Sequence, residues 1–145
     1  MVRVMVALAA LVLAASLAAA QSNPIAARKA LMKANGDQAK IGAAMVKGEA
    51  PFDLAKVQAI FATFADAAEK APALFPNNSK TGGKTEALPA IWKNKADFEA
   101  RLAKFGADAK AAQADVKDLA TFKAVWSGLI RKNCSACHEK YVQKN

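Results

Sequence analysis

From Pro24 to Gln143 the apolar residues recur at intervals of three and four, in four separate stretches, and nowhere alternate singly. A period near 3.6 gives each stretch one apolar stripe, and four such stripes in one short chain bury best against one another. The pattern predicts an all-α fold, an antiparallel four-helix bundle. The first helix is expected over 24–47, capped by Ser22 or Asn23, with Pro24 in its first turn and Gly48-Glu49-Ala50-Pro51 as its stop. The second starts at Asp53, a good N-cap, and runs to Lys70 with Val57, Ile60, Phe61, Phe64 and Ala68 on one face. The third is expected over 91–112, along Phe98, Leu102, Phe105 and Ala109. The fourth is expected over 116–143, along Leu119, Phe122, Val125 or Trp126, Leu129 or Ile130, Asn133 and Cys137. Abundant alanine and few β-branched residues agree with helix throughout.

The connection between the second and third helices is long, 71–90, and holds Pro72, Pro76, Asn77, Asn78, Gly82, Gly83 and Pro89. Loops of that length usually cross the end of a bundle or cover a ligand. Within it Gly83-Lys84-Thr85 resembles the tail of a phosphate-binding loop. Asn78 stands where that motif needs its first glycine, so the match fails.

Residues 1–20 do not fit the bundle. One early cation, Arg3, precedes an apolar run that ends in Ala18-Ala19-Ala20, the layout of a secretory signal cut before Gln21. The expected domains are therefore a cleaved signal at 1–20 and one helical domain at 21–145. An uncleaved anchor helix is the alternative, since the run is about long enough to cross a bilayer. With the signal removed, no further span is expected, and export to the periplasm is. The net charge falls from +9 to +8 with the loss of Arg3. Lysines spread singly from Lys29 to Lys144 read as solvated helix faces, not as a nucleic-acid footprint. A basic exported protein is better suited to an acidic protein partner.

The chain has two cysteines and one histidine, and all three fall in Cys134-Ser135-Ala136-Cys137-His138. C-x-x-C-H is the attachment sequence of c-type haem. Positions i, i+3 and i+4 share a helix face, so two thiols reach two haem vinyl groups while the next imidazole points at the iron. A redox disulfide is the first competing reading, but that motif opens a helix in a βαβ setting. Zinc is the second, and it lacks a fourth ligand. Only seven residues follow His138, so any pocket and any second iron ligand must come from upstream helices. No catalytic environment is recognisable, and no enzyme activity is expected.

The C-terminal motif, the four helices and the Arg28…Met32 spacing resemble the cytochrome c′ family. Leu31-Met32-Lys33-Ala34-Asn35-Gly36, Gly48-Glu49-Ala50-Pro51-Phe52-Asp53, Leu74-Phe75-Pro76 and Ile91-Trp92 look most like its cytochrome c-556 branch. The resemblance covers nearly all of 24–145. It implies one covalent haem c on Cys134 and Cys137, with His138 as axial ligand, and it puts Met32 on the distal side of the iron. In the c-556 branch that methionine is the second ligand, which suits electron transfer. In typical cytochromes c′ the iron is five-coordinate, which would leave an apolar site for NO or CO. Unbonded distal packing and plain core are the other readings of Met32. Met45, thirteen residues on and so about 20 Å away along the helix, cannot share the iron and is read as core. Arg28, one turn before Met32, has the geometry to pair with a haem propionate or to sit solvated. Asn35 and Trp92 are candidate haem contacts, while Phe98, Trp126 and Tyr141 read as core. Arg131, Lys132, Lys140 and Lys144 make the haem end basic. Relatives of this kind form homodimers through their first two helices, where Ala43 and Ala44 would permit close approach; a monomer fits equally.

Overall fold

In the computed structural model, residues 23–144 are described; the expected signal at 1–20 lies outside them. Helix α1 is Pro24–Lys47 and α2 is Leu54–Lys70. The Asn23 side chain accepts the Ala26 N–H at 3.0 Å and Asp53 accepts that of Lys56 at 3.1 Å, which fixes both starts. Gly48 ends α1 at φ 79°, a left-handed turn that costs glycine little, and returns its N–H to Ala44 and Met45.

The third helical stretch is broken. A single turn, α3 (Ala90–Lys93), precedes α4 (Lys95–Asp115). Between them Asn94 leaves helical geometry at φ −124°, ψ 47° and bonds its own side chain to the Ala90 carbonyl, the competition with backbone that asparagine brings. The fourth stretch also departs from expectation. It begins at Leu119 and not Val116, because Asp118 and Thr121 form a reciprocal capping box. It then runs as α5 (Leu119–Leu129), widens into a π-turn over Ile130–Ser135, and resumes as α6 (Ala136–Tyr141). The cause is visible in the spacing. Leu129, Asn133, Cys137 and Tyr141 are four apart, and four residues overshoot an α-helical turn by about 40°, or about 120° in three steps. The wider turn takes up that drift, leaving Leu129, Asn133 and Tyr141 buried and Cys137 half-buried.

α1, α2, α4 and the α5–α6 stretch make a four-helix bundle. Two apolar clusters fill it. One centres on Val57, Ile60, Phe61, Phe64, Phe105, Phe122 and Trp126, with Met45 in it, as expected. There Gly42 is required by close approach: a Cβ at that position would sit 2.3 Å from the Trp126 ring. The other comprises Ala71, Leu74, Phe75, Ile91, Phe98, Leu102 and Tyr141. Ala43 and Ala44, the small residues expected to permit close approach of a second copy, are half-buried, and Ala43 packs on the first cluster. The chain end is pinned to the long loop by an isolated antiparallel bridge between Ala87 and Val142, with Leu88 N–H to Tyr141 carbonyl at 2.9 Å and Gln143 N–H to Glu86 carbonyl at 2.8 Å. Among the described residues no helix is long and apolar enough to cross a membrane.

Candidate cofactor site

Beside the second cluster lies a cavity of about 170 Å³. α1 contributes Arg28 and Met32, the loop Phe75 and Thr85, α3 and α4 Ile91, Phe98 and Leu102, and α6 Cys137, His138 and Tyr141. The wall is mainly apolar, with aromatic edges locked in place: Phe75 meets Phe98 at 4.7 Å between centroids, and Phe98 meets Tyr141 at 5.3 Å.

Four residues singled out from sequence therefore share one wall: Arg28, Met32, Cys137 and His138. Three others lie off it. Cys134 is half-buried in the π-turn. Trp92 packs on Phe75 and donates its indole N–H to the Phe75 and Pro76 carbonyls at 3.0 and 3.1 Å. Asn35 is half-buried on α1 and its Oδ1 is buried without a hydrogen-bond partner among the described residues.

Arg28 is only 4% exposed. Its guanidinium donates to the Leu74 carbonyl (3.0 Å), Ser79 Oγ and carbonyl (2.9 Å each) and Thr85 Oγ1 (2.7 Å). It also lies 4.8 Å from the Phe75 ring centroid. All four acceptors are neutral, and burial pulls its pKa down. It thus fastens the long loop over the cavity and brings a cation to the wall that these oxygens do not neutralise. Burial, helped by Cys137, pushes the Cys134 thiol up to about 11 and Cys137 up as well. A raised thiol is the opposite of an activated redox cysteine.

Phe75, Phe98 and Tyr141 were not foreseen as wall residues. Phe98 and Tyr141 read as core and Phe75 fell in the long loop, and only the fold shows that the three border a cavity. A donor set of adjacent thiol and imidazole, an apolar wall and a buried unneutralised cation fits a flat, apolar, doubly carboxylated macrocycle such as haem.

A four-helix bundle that carries a C-x-x-C-H motif, with its Cys137 and His138 on the wall of an apolar pocket, defines a bundle-type c-type cytochrome. Comparison with known proteins agrees. The family model for cytochrome c′ matches residues 23–142. Cytochrome c′ of Rhodopseudomonas palustris is 50% identical over 133 residues, 92% of this chain and 90% of that protein. Cytochrome c-556 of the same organism is 35% identical over 148 residues, 99% of each. The solved structure of the Rhodopseudomonas palustris cytochrome c′ superposes with a TM-score of 0.81 at 50% identity, covering 85% of this chain and 98% of that one. The chain belongs to the cytochrome c′ family, in which it is a monohaem electron carrier with covalent haem c as cofactor.

Proposed function

We propose that the chain is a periplasmic carrier of single electrons, exported by the signal at 1–20, whose iron is bonded by His138 and Met32. The observation that carries this reading is that Met32 on α1 and His138 on α6 line the same cavity from separate elements. Cys134 and Cys137 would hold the porphyrin through thioethers. Bound haem supplies a reversible one-electron couple at its iron. The His138 imidazole and the Met32 thioether would hold the iron in both oxidation states, a ligand pair that favours low-spin iron and small reorganisation. Ile91, Phe98 and Leu102 exclude water from the wall. Arg28 is the natural partner for a propionate carboxylate, which would neutralise a cation now held by four neutral oxygens. Arg131, Lys132 and Lys144 are exposed and offer a basic docking face to an acidic redox protein. Electron-transfer rates with such a partner should fall as salt rises.

A second reading is favoured by the 50% identity to a cytochrome c′: five-coordinate iron on His138 alone, with Met32 unbonded and the apolar site open to NO or CO. Ferric EPR separates the two. A low-spin wild type that turns high-spin in Met32→Ala supports Met32 as ligand. A high-spin wild type overturns it and leaves the gas-binding reading.

A further inference from the structure

The π-turn over Ile130–Ser135 replaces part of the α-helical ladder between α5 and α6 with wider bonds, Ala136 N–H returning to the Arg131 carbonyl. The wider turn changes the rotation at which α6 leaves α5, and α6 carries His138, whose facing matters most. Side-chain bonds to α4 bracket the segment. Before the motif, buried Asn133 donates its Nδ2 to Asp108 Oδ2 at 2.9 Å. After it, the hydroxyl of Tyr141, 1% exposed, donates to Asp97 Oδ2. Asp97 is fastened in turn by Arg101 Nε at 2.8 Å and Lys140 Nζ at 2.9 Å. Asp97 and Asp108 are eleven residues apart, three α-helical turns to within about 20°, so they share one face of α4 some 16 Å apart. Tyr141 follows His138 by three residues, on the same face of α6. A bond that fixes the Tyr141 hydroxyl therefore also fixes the rotation of His138 about the helix axis.

We propose that Asp97 and Asp108 are positioning residues: two carboxylates on one face of α4 that hold the C-x-x-C-H segment at Tyr141 and Asn133 and so set the orientation of the His138 imidazole at the haem. The inference rests on His138 as iron ligand. The backbone bridge from Glu86–Leu88 to the chain end anchors the same turn, but it acts on the backbone at and after Tyr141 and leaves the rotation of the side-chain face to the bonds that Tyr141 and Lys140 make with Asp97.

The test uses the matured, haem-loaded protein. Tyr141→Phe removes only the hydroxyl and changes no charge; Asn133→Ala releases the other end. Intact mass first establishes that haem remains attached. Proton NMR of the ferric protein then reads the hyperfine-shifted haem methyls, which report the orientation of an axial imidazole, and voltammetry reads the midpoint potential. The expected result is a changed order or spread of methyl shifts and a displaced potential in Tyr141→Phe. Asn133→Ala should show a smaller change of the same kind. Asp97→Asn weakens the Lys140 ion pair as well as the Tyr141 bond, so its methyl pattern should depart from wild type at least as far as that of Tyr141→Phe. Methyl shifts and potential equal to wild type, with only stability lowered, would overturn the proposal. Should Asn133→Ala not mature, Tyr141→Phe carries the test. The wild-type spectrum alone shows whether an imidazole is bound, so failure of His138 ligation is distinguishable from failure of the clamp.

Discussion

The two ends of this bundle are built differently. At the Phe122 end the helices close on each other. Phe61, Phe64, Phe122 and Trp126 interlock, with Phe122 and Trp126 5.1 Å apart and Phe64 and Phe105 5.5 Å apart, and Gly42 lets α1 lie against the indole. At the Tyr141 end the packing surrounds a cavity, and polar side chains hold the parts together: Arg28 fastens the loop, Asp97 and Asp108 fasten the last helix, and a single backbone bridge fastens the chain end. One end is its own core. The other is a frame whose contents are a cofactor.

That contrast can be broken by substitution. Phe122→Ala, in the closed end, should cost about 3–5 kcal/mol in denaturant unfolding of the haem-loaded protein, yet leave the haem spectrum unchanged. A changed spectrum would mean that the two ends are not separable. Arg28→Met should cost less, about 2–3 kcal/mol, because it strips four bonds from one charged donor, but it should perturb the spectrum and expose the 74–85 loop to proteolysis. Gly42→Ala should cost about 1–3 kcal/mol by forcing a Cβ into Trp126, again without spectral change.

The smallest effect is expected from acid. Hydrogen bonds from Arg101, Tyr141 and Lys140, with the positive charge of Arg101, hold the Asp97 carboxyl well below the usual carboxylate range. A carboxyl lowered on folding adds stability that is complete above its unfolded value, about 3.9, and fades as pH falls from there toward the folded value. Acid titration below about pH 4 should therefore loosen α6 in the wild type, and Asp97→Asn should remove that component. An identical acid profile in the variant would take Asp97 out of the account.

The sequence was most legible where local chemistry decides the outcome. Asn23, Pro24, Gly48 and Asp53 fixed the ends of α1 and α2 because caps act within four residues. The break at Asn94 was hidden, since asparagine is tolerated within many helices. The π-turn left a trace in the four-residue spacing from Leu129 to Tyr141, which a strict 3.6 period cannot keep on one face. Of the site, the motif and the Arg28…Met32 pair could be read, and Arg28, Met32, Cys137 and His138 do meet at one cavity. What Arg28 binds could not, because its partners lie 46 to 57 residues away and are mostly backbone or hydroxyl oxygens. Tyr141 read as core, and only the fold shows that its ring is wall and its hydroxyl an anchor.

The central claim is that the Tyr141 end is ordered around haem while the Phe122 end is not. Residue-resolved hydrogen exchange on the haem-loaded protein and on Cys134→Ala/Cys137→Ala, which cannot form the thioethers, tests it directly. Amides in 57–68 and 105–129 should stay protected in both proteins, while those in 74–92 and 136–142 should lose protection in the variant. Protection lost evenly through the whole bundle, or retained throughout, would contradict the account.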